Sequence, residues 1–391
     1  MIIYLTIFLI LLLCILVYDL GGTKQYREAH IRLILFALVL VSGLSYRLGG
    51  DGIGNMLEYK VYGNISDLSF KYLIGFQGKQ PGYVLLCTLC KTITDDYFLF
   101  KLVHAIIINT AYVNAIRANV RYTFSGLMVY FILIYFNQNF QLIRESFAIA
   151  FFLLSLTSFY QNKWKKYYFY VFIAFLFHEG ALFLVILPLI KYFGFNYKTI
   201  IFYFALFGLL FIYSSDILQY LSFLSTSGEI TNDKYWYYFH EVDSDSNFSS
   251  ISTFVFSILI PLLIIFYYKR RNINIPYLFP AIISLGIYIT SAVLPIVYRF
   301  GNYVMLFNYV LITDFIFTWF SHNIKRQDYK LRIVVILFLF FTFIGLKSMF
   351  YFGNYGETRF KEYVQYYPYA SVIEKYEDPE REALFKQLLS Y

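Results

Sequence analysis

Residues 137–190 read NQNFQLIRESFAIAFFLLSLTSFYQNKWKKYYFYVFIAFLFHEGALFLVILPLI. This stretch consists of apolar runs whose few charged side chains stand near the ends of the runs. Arg144 and Glu145 lie in the first two turns of one run, and His178 and Glu179 interrupt the apolar sequence later on. Ionisable side chains are expensive inside hydrocarbon and are rare there without a function. The segment therefore predicts membrane helices with a polar site at one end.

The composition extends this interpretation to the whole chain. Of the 391 residues, 59% are hydrophobic and 14% are charged, and the mean hydropathy is +0.59. Soluble domains carry about 25% charged residues. Apolar runs near the ~20 residues of a bilayer-crossing helix recur throughout. We therefore predict an all-α polytopic integral membrane protein with about 10–12 transmembrane or half-membrane helices.

Basic residues indicate which ends of the helices are cytoplasmic. Lys and Arg collect after alternate apolar runs, where acidic residues are rare. The clusters lie at residues 24–32, 117–121, 163–166, 191–198, 269–271 and 325–332. Cytoplasmic loops carry such an excess of positive charge. The net charge of +8 is thus a topology signal rather than a sign of nucleic-acid binding, and both chain ends are predicted outside.

The segment at 166–190 is compatible with two topologies. It forms either one long helix or two arms of ~12 residues that break at residues 178–180. The break keeps Lys191 and Lys198 on the cytoplasmic side with the other clusters, so the charge pattern favours it. Short arms of this kind are tolerated where they line a polar cavity.

The remaining organisation is simple. We predict a single transmembrane domain at 1–350, with outer loops at about 47–96 and 216–249, and a polar extracytoplasmic tail at 351–391. The first loop begins with RLGGDGIGN (47–55). It lacks the GK[ST] sequence and the strand-to-helix context of a phosphate loop. Its glycines therefore indicate a flexible loop.

This topology brings several polar side chains to the outer surface. They are Arg47 and Asp51, Arg144 and Glu145, His178 and Glu179, and Tyr298, Arg299 and Tyr303. Singly, each has an ordinary explanation: an arginine can anchor a helix at the interface, Glu145 can pair with Arg144, and a histidine can be a hydrogen-bonded core residue. Their convergence on one side of the membrane favours a site.

The residue types suggest the chemistry of that site. Arginine forks bind phosphate oxygens in a bidentate manner and keep their charge in poorly solvated places. A histidine accepts a proton near neutral pH. Together they suit a lipid-linked diphosphate at the outer leaflet, whose departure the guanidinium groups would stabilise. The sequence has no obvious acidic pair for a divalent metal, so we expect metal-independent chemistry without a cofactor.

Four groups of residues also carry a family resemblance. They are Arg47 with Gly50-Asp51 and Tyr59, then Pro81-Gly82-Tyr83, then Arg144-Glu145-Ser146-Phe147-Ala148, then Phe177-His178-Glu179-Gly180-Ala181. In this order they resemble the EpsG-like, Wzy-type membrane proteins of bacterial exopolysaccharide, capsule and O-antigen assembly. The resemblance covers roughly residues 1–190, and beyond them only the topology and the Tyr298–Tyr303 stretch match. Two positions depart from the family: Gly52 replaces an aromatic residue, and Gln80 replaces an acid.

The resemblance implies a fold similar to the O-antigen ligases and polymerases, which are GT-C-like. It also implies a glycosyltransferase of the bacterial cytoplasmic membrane that joins repeat units carried on undecaprenyl diphosphate. In this hypothesis the proposed catalytic residues are His178 as the base, Glu179 as its fallback, and Asp51. The proposed diphosphate ligands are Arg144, Arg299 and Arg47, and the proposed sugar-binding aromatics are Tyr59, Tyr83, Tyr298 and Tyr303.

The expected partners are the undecaprenyl-diphosphate-linked oligosaccharide, the bilayer and a chain-length regulator protein, without nucleic acid. Three other functions compete with this hypothesis. A lipid-oligosaccharide flippase would need polar residues through the full membrane depth. A non-catalytic export subunit would need no cluster of arginine and histidine. An acyltransferase would favour a cytoplasmic entry for its acyl donor, and the predicted inner loops are short and merely basic.

Overall fold

The computed structural model describes residues 2–194, 254–291, 295–323, 329–355 and 358–389. Every regular element in this part of the chain is a helix, and strand pairing is limited to isolated bridges. The all-α prediction is therefore confirmed. The predicted span at 199–215 and the outer loop at 216–249 lie outside the described residues.

The helices follow the apolar runs of the sequence. Before the first gap they are α1 (Ile2–Cys14), α2 (Arg27–Gly43), α3 (Gly50–Tyr59), α4 (Phe70–Gly75), α5 (Pro81–Ile93), α6 (Tyr97–Asn119), α7 (Thr123–Leu133), α8 (Ile143–Tyr160), α9 (Trp164–Phe177) and α10 (Leu187–Phe193). After it they are α11 (Ile260–Arg270), α12 (Leu278–Ser291), α13 (Gly301–Asn323), α14 (Tyr329–Ser348) and α15 (Pro379–Leu389). Short 3-10 and π turns extend or join several of them.

Several helices are long and apolar enough to cross a membrane. In the described residues they are Ile2–Leu20, Tyr97–Asn119, Ile143–Tyr160, Val297–Trp319 and Tyr329–Phe352. The first and last are only 22% buried, whereas α6 and α8 are 61% and 72% buried. Exposed apolar helices of this length suit contact with lipid. The chain is thus a multi-pass membrane protein in which α6 and α8 are core helices.

Contacts within the chain divide it into two compact units. Unit 1 comprises residues 1–184 and 316–391, and unit 2 comprises residues 185–315. In unit 1, α6 packs against α2 and α8, and α8 packs along α9. Unit 2 contains α10, α11, α12 and the first turns of α13.

Polar side chains inside unit 1 satisfy one another. The Asn109 amide donates to Asn139 Oδ1 at 3.0 Å, and the Tyr130 hydroxyl donates to Asn109 Oδ1 at 2.9 Å. Asn139 lies in a π turn, Asn137–Gln141, between α7 and α8. Irregular backbone at membrane depth is tolerated only where protein groups can satisfy it. The Asn139 side chain performs that role for the α7–α8 connection, because its amide also donates to Tyr135 O at 2.9 Å.

The break predicted in the segment at 166–190 is present. α9 ends at Phe177, His178 is extended with φ −155° and ψ 127°, and a 3-10 helix runs over Glu179–Ile186. The chain then returns along α9, because the Tyr167 hydroxyl near the start of α9 donates to Leu184 O at 2.7 Å. His178 therefore lies at a reversal of the chain.

The glycine-rich segment after Arg47 is not the flexible loop that its composition predicts. From Gly50 onward it forms α3. The C-terminal tail holds the start of this helix: Gly49 N donates to Gln365 O at 2.9 Å, and Gly50 N donates to Gln365 Oε1 at 2.7 Å. These bonds satisfy amide groups that a helix start leaves open. A contact with a residue 315 positions away thus stabilises a helix where the glycine-rich sequence by itself favours a flexible loop.

The tail after residue 351 packs on unit 1 around one arginine. Arg381 in α15 is 0% exposed. Its Nε donates to Val364 O at 3.1 Å, one Nη donates to Pro368 O, and the other donates to Arg47 O at 3.5 Å. One guanidinium therefore joins α15 to two separate parts of the tail and to Arg47, which lies between α2 and α3.

Replacing Arg381 by methionine should loosen the tail, because three carbonyl groups lose a charged donor. We expect the free energy of local opening to fall by about 2–4 kcal/mol. Hydrogen–deuterium exchange over residues 358–389 measures this as faster exchange. Lys386→Met, at an exposed position of the same helix, is the matched control. Equal exchange in the two variants would show that Arg381 does not hold the tail.

Candidate functional site

Two of the predicted residues lie at the same end of unit 1. α8 begins where α9 ends, since the rings of Phe147 and Phe177 stack with their centroids 4.8 Å apart. Phe151, one turn further along α8, also stacks on Phe177, at 5.5 Å. Arg144 at the start of α8 and His178 after the end of α9 therefore share this end.

The Arg144 guanidinium is half-buried and is held by an amide. Its Nη1 donates to Gln80 Oε1 at 3.4 Å. Glu145, the next residue, is 5% exposed and forms no ion pair with it. Within the described ranges, no other carboxylate lies within ion-pair distance of Arg144. An anionic ligand can thus bind this cation without first breaking an ion pair.

A glycine brings Gln80 to this position. α5 starts with Pro81, and a Cβ on Gly82 would lie only 2.7 Å from Leu176 O in the last turn of α9. Glycine alone allows the two backbones to approach this closely. The contact seats the start of α5 against the end of α9, where Gln80 reaches Arg144. The family departure at Gln80 therefore places a neutral acceptor beside the arginine.

Tyr62 is a polar neighbour that the sequence did not reveal. It is 3% exposed, and its hydroxyl has no hydrogen-bond partner among the residues that the structure describes. Its ring lies 4.6 Å from Phe76 and 6.3 Å from Tyr83. Burial raises the pKa of the Tyr62 phenol, and the nearby charge of Arg144 opposes that rise. The phenol stays neutral and keeps its proton as a hydrogen-bond donor.

The backbone orients the His178 ring. Gly180 N donates to His178 Nδ1 at 3.1 Å, and the ring is half-buried. Since Nδ1 accepts this bond, the proton of the neutral ring is assigned to Nε2. In that tautomer Nε2 donates a hydrogen bond and does not accept a proton. Glu179, the adjacent residue, is exposed and carries a carboxylate that can accept one. This geometry favours Glu179, the fallback base, and gives His178 the role of a donor.

The two aromatic residues predicted to hold sugars in unit 1 are buried. Tyr59 and Tyr83 are each 1% exposed. The Tyr59 ring packs against Phe100 and Tyr97, and its hydroxyl donates to Thr94 O at 3.3 Å. The Tyr83 hydroxyl donates to an asparagine of α3 at 3.3 Å. Covered ring faces favour a packing role, so sugar stacking at these positions stays a prediction.

Arg47 belongs to a different contact. Its guanidinium forms a two-fold hydrogen-bonded ion pair with Glu382 of the tail, and Glu377 lies 3.8 Å away. Asp51 lies in the first turn of α3. Arg47 therefore has its charge compensated within unit 1, in contrast to Arg144.

The other predicted residues belong to unit 2. Tyr298 and Arg299 lie in the 3-10 helix Pro295–Phe300, and Tyr303 lies in the first turn of α13. Tyr298 is 51% exposed, whereas Tyr303 is 1% exposed. Of these two rings, only Tyr298 has a face open to a sugar. The meeting of Arg299 with Arg144 stays a prediction.

The residues present offer no obvious metal centre. In the described parts of the chain, no three His, Cys, Asp or Glu side chains gather as a metal site would require. Metal-independent chemistry stays a prediction of the sequence.

Comparison with known proteins identifies the family. The model of the EpsG family matches residues 28–371, which is most of the chain. The chain belongs to the EpsG family. No curated protein and no solved structure matches it. The family resemblance predicted from the four residue groups is confirmed, and EpsG membership indicates a polysaccharide polymerase-type glycosyltransferase. The likeness to O-antigen ligase folds stays a prediction.

Proposed function

We propose that this EpsG-family protein polymerises oligosaccharide repeat units carried on undecaprenyl diphosphate. The observation that carries the proposal is the half-buried Arg144, which lacks a carboxylate partner among the described residues and shares one end of unit 1 with His178 and Glu179. A cation of this kind suits the leaving diphosphate, and the Glu179 carboxylate at the same end suits removal of a proton.

The reaction is an inverting glycosyl transfer. The growing glycan on its lipid diphosphate is the donor, and a sugar hydroxyl of one lipid-linked repeat unit is the acceptor. The hydroxyl oxygen bonds to the anomeric carbon, and the bond from that carbon to the diphosphate oxygen breaks. Glu179 takes the hydroxyl proton, while the lipid diphosphate leaves with the bonding electrons. Attack from the face opposite the leaving group inverts the anomeric centre.

The remaining polar groups stabilise the departing diphosphate. Arg144 meets the charge that develops on it, and the Nε2 proton of His178 and the phenol of Tyr62 donate hydrogen bonds. Preorganised donors of this kind act on the transition state without having to reorient during the reaction.

The proposal places the reaction at the outer leaflet of a bacterial cytoplasmic membrane. The basic clusters support it, because they lie at the opposite helix ends from Arg144 and His178. The products would be exopolysaccharide, capsule or O-antigen chains, and a chain-length regulator is a proposed partner.

The direct test is polymerisation by the purified protein. Full-length protein in proteoliposomes is incubated with synthetic repeat units on undecaprenyl diphosphate, and the products are separated by gel electrophoresis. We expect a ladder of glycans and release of undecaprenyl diphosphate. The starting unit alone, in protein that remains folded, would contradict the proposal.

The same preparation separates the competing functions. A flippase would move fluorescent lipid-linked units across a sealed vesicle without lengthening them. An export subunit would show neither activity and would support polymer secretion in cells after loss of Arg144. Either result would replace the polymerase assignment.

A further inference from the structure

A second cationic position lies at the same end of unit 1. The segment between α2 and α3, the first two turns of α3, the start of α6 and a loop of the tail enclose a cleft of about 60 Å³. Lys101, Arg47 and Lys375 line it together with Tyr46, Tyr97 and Asp96. We call this the Lys101 cleft. Its volume suits one small group rather than an oligosaccharide.

Lys101 places an amine in a buried position of this cleft. Its side chain is 5% exposed, and its Nζ donates to Asn139 O at 2.6 Å and lies 5.0 Å from the centroid of the Phe140 ring. In the described part of the chain, no carboxylate lies within ion-pair distance of it. An ammonium group has three protons to donate. A buried charge that is not paired is costly unless a ligand compensates it.

The other charged groups of the cleft differ from Lys101. Arg47 is already paired with Glu382. Asp96 is exposed, and its carboxylate accepts the Phe98 N–H as the cap of α6. Lys375 is exposed on the tail side. A small anion that enters would therefore meet Lys101 at its base and Lys375 at its rim.

We infer that the Lys101 cleft binds the diphosphate of the second lipid-linked substrate. This inference rests on the proposed function. Polymerisation joins two molecules that each carry a lipid diphosphate, so two anionic groups must be held at one end of the protein. Arg144 serves one of them. The Lys101 cleft, whose cations include one that no carboxylate compensates in the described residues, provides the second position.

The two positions are separate and close to each other. Phe100, one residue before Lys101, lies 6.1 Å from Phe147, which is one turn after Arg144. The first turns of α6 and α8 are thus in contact, and their cations belong to neighbouring helices. Two lipid-linked chains whose sugars must meet could each place a diphosphate at one of these helix starts.

Binding stoichiometry tests the inference independently of catalysis. Purified full-length protein in detergent is titrated with farnesyl diphosphate, a short polyprenyl diphosphate, by calorimetry. We expect two sites in the wild type. In Lys101→Met one site should keep its affinity, and the affinity of the other should fall roughly 10- to 100-fold. Arg144→Ala should also retain one site, and the double variant none.

A second variant covers the case in which Lys101→Met does not fold. Lys375→Glu changes an exposed position of the cleft and should weaken the same site, whereas Lys386→Glu makes the same charge change outside it and should not. Two sites of unchanged affinity in folded Lys101→Met or Lys375→Glu would overturn the inference. Competition by glucuronate but not by inorganic pyrophosphate would also overturn it, since the cleft would then take a sugar acid.

The outcomes distinguish this inference from the proposed function. If Lys101→Met loses one site but the wild-type protein never extends a glycan, the cleft remains a diphosphate site and the polymerase assignment is wrong. If the wild type extends glycans but binds diphosphate at a single site, the polymerase assignment stands and the inference about the cleft is wrong.

Discussion

Arg144→Ala is expected to lower the rate of glycan extension by about 10²- to 10³-fold, as loss of one preorganised donor to a developing charge does elsewhere. The reason is that Arg144 has no carboxylate partner in the described structure, so its whole charge is available to the leaving diphosphate. The measurement is the initial rate of ladder formation in proteoliposomes.

Two further variants test the cause of that loss. Arg144→Lys keeps the charge but not the planar fork, so we expect an intermediate rate. Arg121→Ala removes an exposed arginine that follows the opposite end of α6 and should leave the rate unchanged. Equal rates for Arg144→Ala and the wild type, at equal amounts of folded protein, would remove Arg144 from the site.

The second large effect is expected at Glu179. Glu179→Gln should lower the rate by about 10²- to 10⁴-fold, the usual contribution of a general base. The exposed carboxylate can accept a proton, whereas the Nδ1 atom of His178 already accepts a bond from Gly180. The measurement is the initial rate of ladder formation in proteoliposomes, at equal amounts of folded protein.

The adjacent histidine provides the control. His178→Gln retains an N–H donor but cannot act as a base near neutral pH, so it should be faster than His178→Ala. If both histidine variants are inactive while Glu179→Gln keeps the wild-type rate, then His178 is the base. That result would restore the assignment that the sequence alone favoured.

Helix ends in unit 1 could be predicted well from sequence. The basic cluster at 163–166 and the polar residues at 178–180 predicted a chain reversal, and the Tyr167–Leu184 hydrogen bond shows it. Charge pattern and hydrophobic run length are local properties, and the bilayer imposes both on the chain directly. For the same reason Arg144 and His178 could be predicted at one end.

Contacts that join distant segments could not be predicted in this way. Arg47 pairs with Glu382, and Gly50 N donates to Gln365. Each contact joins residues more than three hundred positions apart, so no local sequence pattern predicts it. As a result, the loop that was expected to be flexible forms a helix. The charge of Arg47, which was expected to bind the substrate, is compensated by Glu382. Lys101 did have a signal in the sequence, because it is an ionisable residue within an apolar run.

Hydrophobicity, helix length and the alternation of the charged clusters along the chain were determined by the sequence by itself, because a membrane selects them segment by segment. The tertiary structure alone decided which cations are compensated: Arg47 is paired by the tail, whereas the partners of Arg144 and Lys101 within the described residues are amide and carbonyl oxygens. The physical reason is that the energy of a charge depends on the groups within a few ångströms of it, and folding brings those groups from elsewhere in the chain.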